Sequence, residues 1–258
     1  MEQAERRKFL IEYLLKEDNQ PLAIPRDEDG QKKLLRALFN VRMPMAASDE
    51  FLRIQDEYLQ EELRIKGIVS IDDLTPVAPD IYLWKGDITT LKCDGIVNAA
   101  NSKLLGCFCP NHGCIDNAIH TFSGVQLRQE CAEIMRAQGK DEETGRAKIT
   151  KAYNLPCKYV LHTVGPMVYG GLTEEHEQLL ADSYCSCIAL ADSYGLQSIA
   201  FCCISTGAFR FPNERAAQIA VKTVSEYKRL TGSKIKVIFN VFMEYDYAIY
   251  AELLGANK

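Results

Sequence analysis

The chain has 258 residues, of which 47% are hydrophobic and 25% charged, with a formal net charge of −5. That apolar fraction is ordinary for a globular protein with a buried core, while the acidic balance argues against a broad nucleic-acid or membrane-binding surface. No apolar run approaches the ~20 residues of a membrane span, and the opening MEQAERRKFL does not have the pattern of a signal peptide. A cytoplasmic protein is expected, built as one large domain or one domain with an appendage.

Residues 1–75 are rich in Leu, Glu, Arg and Lys and read as helices. RRKFLIEYLLKE places Phe9, Leu10, Tyr13 and Leu14 on one stripe, at helical i, i+3, i+4 spacing. QKKLLRALFNVR and SDEFLRIQDEYLQEELRIKG repeat the pattern, with Ser48 and Asp49 placed to cap the second. Pro21, Pro25 and Pro44 fall between these segments. Nothing polar here forms a constellation that suggests chemistry, so the zone reads as a helical N-terminal extension capping the rest.

Residues 76–258 have a different texture. IYLWKGDIT, DGIVNAAN, AKITKAYN, KYVLHTVG, SIAFCCIS and KIKVIFNVF are short, β-branched or aromatic, and bounded by Gly, Asn or Pro, as strands are. Residues 115–137, 174–194 and 213–230 have helical spacing, and YDYAIYAELL forms a last helix. Such alternation predicts an α/β layer structure on a parallel or mixed central sheet.

GCFCPNHGCIDN, residues 106–117, puts three cysteines and one of the four histidines between Cys107 and Cys114. Cys and His at this spacing are zinc ligands by chemistry. The run follows the strand-like IVNAAN and precedes a helix, where ligand sites form in α/β sheets. Four donors would close a tetrahedral structural site; three would leave a position open, as catalytic zinc requires. Cys93, Cys131, Cys157, Cys185, Cys187, Cys202 and Cys203 lie scattered in apolar or helix-like segments and read as free thiols, not a disulfide framework. His120 and His162 read as packed core residues, and His176 as a solvated one.

Three loops after strands carry further signals. In WKGDIT, Asp87 could accept from an exocyclic amine or could cap a turn. In NAANS, Asn98 and Asn101 both donate and accept. In ISTGAFRFPNE, small residues at Ser205, Thr206, Gly207 and Ala208 let backbone amides approach phosphate oxygens, and Phe209 offers an apolar face.

KGDIT, IVNAANS and ISTGAFRFP, in this order, resemble the macrodomain family over roughly residues 80–255. The resemblance implies a three-layer α/β/α fold with a mixed central sheet and an ADP-ribose cleft. It implies that Asp87, with Ile88 beside it, meets the adenine, that Ser205, Thr206, Gly207, Ala208 and Phe209 wrap the diphosphate, and that Asn101 contacts the distal ribose. IDNAIHTFSG matches the segment in which hydrolytic members carry a catalytic aspartate, here Asp116, with Asn101 as its companion. The family's glycine run is absent and GCFCPNHGC stands in its place, similar to the zinc-dependent macrodomains found beside bacterial sirtuin-type ADP-ribosyltransferases. That pattern implies one zinc on Cys107, His112 and Cys114, with the Cys109 position variable. Arg210 departs from the family's usual glycine. The implied activity is zinc-dependent removal of mono-ADP-ribose from modified protein side chains, the substrate protein being a lipoyl carrier modified by a sirtuin-type transferase. The alternative is a non-catalytic ADP-ribose reader with structural zinc.

Overall fold

Three helices open the chain, α1 (Gln3–Glu17), α2 (Glu28–Val41) and α3 (Asp49–Lys66); the computed structural model describes residues 1–19 and 21–256. Each helix has a cap that its sequence supplies. Glu2 and Glu5 form a reciprocal capping box on α1, the Asp27 carboxylate accepts from Gly30 N–H at 2.7 Å on α2, and Ser48 Oγ accepts from Phe51 N–H at 3.2 Å on α3. Their apolar stripes bury one another through Leu10, Ile11, Leu14, Leu35, Phe39, Phe51 and Ile54, and the same cluster takes in Val125 from beyond the extension. After α3 the chain passes at once into the main layers. β1 (Val69–Ser70) pairs in parallel with β4 (Leu91–Lys92), and Ile71 belongs to the main core.

The principal sheet holds β2 (Pro76–Ala78), β3 (Ile81–Lys85), β5 (Gly95–Ala99), β6 (Ala147–Lys151), β7 (Tyr159–Thr163), β8 (Ser198–Phe201) and β9 (Lys236–Val241), in the order β2-β3-β9-β8-β5-β7-β6. The five inner strands are parallel, and the edge strands β2 and β6 are antiparallel to their neighbours. Ile96, Val97, Ile199, Ala200, Val237 and Ile238 are fully buried. Central parallel strands covered on both faces need such continuous apolar runs rather than alternation. Helices α4 (Ile115–Ser123) and α5 (Val125–Gln138) cover one face, with α2 packed outside α4. Helices α6 (Glu174–Ser193), α7 (Asn213–Thr231) and α8 (Glu244–Leu254) cover the other. The result is a three-layer α/β/α domain on a mixed sheet. Among the described residues no helix is long and apolar enough to cross a membrane.

Two elements differ from their sequence expectation. The helix expected over 115–137 is two helices, because Gly124 between them has φ 96° and ψ 172°. That conformation is open essentially to glycine alone. A Cβ there would also stand 2.6 Å from Gln55 Nε2 of α3, so the break is packed against the extension. The strand expected over SIAFCCIS stops at Phe201. Cys202 is buried and Cys203 half-buried in the loop that follows.

Gly124→Ala is expected to destabilise the fold by about 1–3 kcal/mol from backbone strain alone, measured by urea unfolding. Unchanged stability would show that the break between α4 and α5 is not imposed there.

Candidate functional site

The parallel strands β3, β5, β7, β8 and β9 all end on one edge of the sheet, and the loops that follow them gather there, the usual position of a ligand cleft in α/β folds. Beside the end of β5 this edge carries a buried carboxylate. Asp116, in the first turn of α4, is 5% exposed. Its Oδ1 accepts from Asn98 Nδ2 at 2.8 Å and its Oδ2 from Asn101 Nδ2 at 3.4 Å. Burial pushes its carboxyl up to about 6, against the pull of the Asn98 bond and the charge of Arg128.

Asn98 reaches Asp116 because an inner parallel strand holds it: β5 pairs Asn98 with His162 of β7. Asn98 Nδ2 also donates to His162 Nδ1 at 3.2 Å. His162 therefore carries its proton on Nε2 and donates to Thr150 Oγ1 at 2.9 Å. His120 Nε2 lies 3.5 Å from Asp116 Oδ1 without forming a hydrogen bond. Both histidines are buried, as the sequence suggested. With Cys131 they bring three donor atoms within 4.8 Å, but both ring nitrogens of His162 are already engaged, so the group reads as packing behind Asp116.

Just ahead of α4, the Sγ atoms of Cys107 and Cys114 and a ring nitrogen of His112 lie within 4.8 Å of one another. Cys107 Sγ and His112 Nδ1 are 3.6 Å apart. Tetrahedral zinc with Zn–S bonds near 2.3 Å sets its ligand atoms roughly 3.8 Å apart, and two thiols with an imidazole are donors it prefers. The residues fit the ion. Cys109 is exposed and stands outside this group. Cys114 is also the N-cap of α4, its Sγ accepting from Asn117 N–H at 3.4 Å. Burial pushes the Cys114 thiol up to about 11, the Asn117 bond acting the other way.

The remaining site residues are spread along the same edge. Asp87 caps the turn at 88–90, with Oδ1 accepting from Thr89 N–H at 3.0 Å and Thr89 Oγ1 at 2.6 Å. Its Oδ2 faces Lys66 Nζ at 2.6 Å. Burial alone would raise the Asp87 carboxyl, but Lys66 and Thr89 together hold it below the usual carboxylate range. The Ile88 side chain is in the core, which leaves its backbone to face a ligand. Asn101 is largely a loop organiser: Nδ2 donates to Gly106 O at 3.0 Å, and Oδ1 accepts from Lys103 N–H at 3.0 Å.

After β8, Ser205 has φ 66° and Arg210 φ 59°. The loop is folded back by Phe211 N–H on Ser205 O and Arg210 N–H on Gly207 O, both at 3.0 Å. The amides of Thr206, Gly207, Ala208 and Phe209 meet no protein acceptor among the described residues. Free successive amides in such a turn form an anion-binding concavity.

Sequence reasoning missed two residues here. Lys66, from the helical extension, holds Asp87 and lies 3.8 Å from the Phe122 ring centre. Phe242 follows β9 directly and is 72% exposed; because Lys85 pairs with Val241, it stands beside the Asp87 loop. An aromatic just past the buried run KVIFNV was the available signal for Phe242. No local signal marked Lys66.

Residues 97–220 match the Macro domain family. The chain is 60% identical to a protein-ADP-ribose hydrolase of Treponema medium, covering 99% of this chain and all of that protein. It is 48% identical to a protein-ADP-ribose hydrolase of Staphylococcus aureus (strain MSSA476), covering 100% of this chain and 99% of the relative. The structure resembles a Trypanosoma brucei macrodomain in complex with ADP-ribose, with a TM-score of 0.67 and 32% identity over 85% of this chain and 95% of that one.

The buried His162 makes stability pH-dependent in a definite direction. Burial holds its folded pKa down at about 3, while an unfolded histidine takes up its proton near 6.5. Its contribution is fully present above about pH 6.5 and is lost as pH falls from there toward 3. Between about pH 7 and pH 5 the parent is expected to lose about 2 kcal/mol more than His162→Gln in urea unfolding. Equal losses would contradict this assignment.

Proposed function

The chain belongs to the macrodomain family, and from that premise we propose that it is a zinc-dependent protein-ADP-ribose hydrolase, removing mono-ADP-ribose from modified protein side chains. The observation that carries this reading is the order of strands along the sheet. From β3 through β9 and β8 to β5, the strand ends present Asp87, Phe242, the free amides at 206–209, and finally Asn101 with Asp116. That is the order of adenine, its stacking face, diphosphate and distal ribose in an extended ADP-ribose. Three strand spacings of ~4.8 Å place the two ends roughly 14 Å apart.

Each group then has a role suited to its chemistry. Asp87 accepts from the adenine amino group beside the Ile88 backbone, with one carboxylate oxygen shared with Lys66. Phe242 stacks on the base. The turn from Ser205 to Phe209 binds the diphosphate through its amides. At the distal ribose, Asn101 exchanges its long bond to Asp116 for a sugar hydroxyl. Cys107, His112 and Cys114 would hold one zinc, which supplies Lewis-acid polarisation there when bound. Asp116, held by Asn98, orients the attacking water and takes one of its protons. Water oxygen bonds to the ribose C1, the bond from C1 to the protein side chain breaks, and that side chain leaves with the proton Asp116 took from the water, which returns Asp116 to its carboxylate. The reading extends to a cytoplasmic cycle in which the substrate is a lipoyl-carrier protein modified by a sirtuin-type transferase.

Purified protein is expected to carry about one zinc per chain and to release ADP-ribose from a modified protein by mass spectrometry. Chelation should stop release and added zinc restore it; full activity after chelation would contradict the zinc assignment. Cys107→Ser should lose zinc and turnover while keeping ADP-ribose affinity within a few-fold, since the nucleotide contacts lie elsewhere. Asp116→Asn should slow turnover by about 10²–10⁴-fold, and a normal rate would remove its role. If zinc-loaded parent binds ADP-ribose yet never releases it from protein, the molecule is a reader.

A further inference from the structure

The segment from Cys107 to Cys114 must be held by something other than itself. It contains one backbone hydrogen bond of its own among the described residues, His112 N–H to Cys109 O at 3.2 Å. Asn111 within it has φ 55°, and Leu104 just before it has φ 56°. Non-glycine residues stay in that region only where their surroundings over-determine them.

Those surroundings are supplied by α2 of the N-terminal extension. Asn40, 1% exposed, accepts from the strained Asn111 N–H at 2.9 Å and donates to Thr121 Oγ1 of α4 at 2.9 Å. One turn earlier, Arg36 Nη2 donates to the carbonyl of His112 at 3.0 Å. The Arg36 guanidinium also grips Asn117 Oδ1, at 2.8 Å through Nη2 and 3.2 Å through Nε. Asn117 in turn donates to Cys109 O at 3.0 Å. Arg36 and Asn40 are four residues apart and share a helix face, as do Asn117 and Thr121, so the two helices meet as a matched pair of i, i+4 rows. A further arginine closes the other end of the loop. Arg128 of α5 donates to Leu105 O at 2.7 Å and to Phe39 O of α2 at 3.0 Å, and lies 4.4 Å from the Phe108 ring centre.

We propose that Arg36 and Asn40 are positioning residues for the metal tripod, so that α2 is part of the zinc site and not merely a cover over the domain. They touch neither the ion nor the substrate. Arg36 fixes the backbone of the ligand His112 and Asn40 fixes its neighbour, holding Cys107, His112 and Cys114 together before metal arrives. Groups that orient metal ligands from behind commonly govern affinity 10–100-fold when removed. The proposal rests on the zinc reading given above.

The test measures zinc affinity of the full chain by competition with a chromogenic chelator, alongside ADP-ribose affinity and urea stability. Arg36→Leu should raise the zinc dissociation constant by about 10-fold or more, with ADP-ribose affinity unchanged. Arg36→Lys, which keeps the charge but loses the fork, should recover part of the loss. Asn40→Ala should weaken zinc binding in the same way. Leu14→Ala, in the buried core of the extension but away from the loop, should lower stability with zinc affinity unchanged; that separates positioning from general loss of stability. Arg36→Leu binding zinc as tightly as the parent would overturn the proposal. A parent that binds no zinc would instead overturn the metal reading, and this inference with it.

Discussion

The cleft is organised around one buried carboxylate that, among the described residues, has no cation in hydrogen-bond contact. Asp116 is held by two amides from the end of β5, Asn98 at 2.8 Å and Asn101 at 3.4 Å. A carboxylate in such a place has a high cost unless it is hydrogen-bonded, so the positions of β5, α4 and the loop between them are tied to one another. Asn98 lies on an inner strand and is held from behind by His162 and Thr150. Asn101 binds Gly106 O and Lys103 N–H, which turns the chain into the cysteine loop. The Asp116 end of the cleft is therefore fixed from the sheet outward.

A second layer of constraint comes from outside the α/β domain. The loop carrying Cys107, His112 and Cys114 has little internal bonding and two strained residues at its margins and within it. Its backbone is held by side chains of α2 and α5. The extension also sends Lys66 to Asp87 at the opposite end of the cleft. Three added helices thus reach both ends of the site while burying a small core of their own.

The layers and the clustering of Cys107, His112 and Cys114 were legible in the sequence because they rest on local pattern. The apolar stretches at 96–97 and 237–239 mark buried parallel strands, and the cysteine and histidine spacing marks a candidate metal-ligand cluster by chemistry. What escaped was whatever depends on distant contact. The break at Gly124 follows from its φ and from Gln55 nearby, neither visible in a helical period. The roles of Arg36, Asn40 and Lys66 are bonds across 21 to 81 residues of sequence, in a zone whose composition looked purely structural. Asp87 shows the intermediate case: it is the turn cap the sequence allowed and also stands, half-buried and paired with Lys66, at the strand-end edge.

The proposed chemistry depends on an open three-ligand metal site just ahead of α4, with Cys109 outside it. X-ray absorption at the zinc edge, on the full chain loaded with one equivalent of zinc, tests this most directly. The expected result is two sulfur ligands and one imidazole nitrogen, completed by an oxygen or nitrogen donor. Three sulfurs and one nitrogen, with the third sulfur lost in Cys109→Ser, would show a closed structural site and contradict the account.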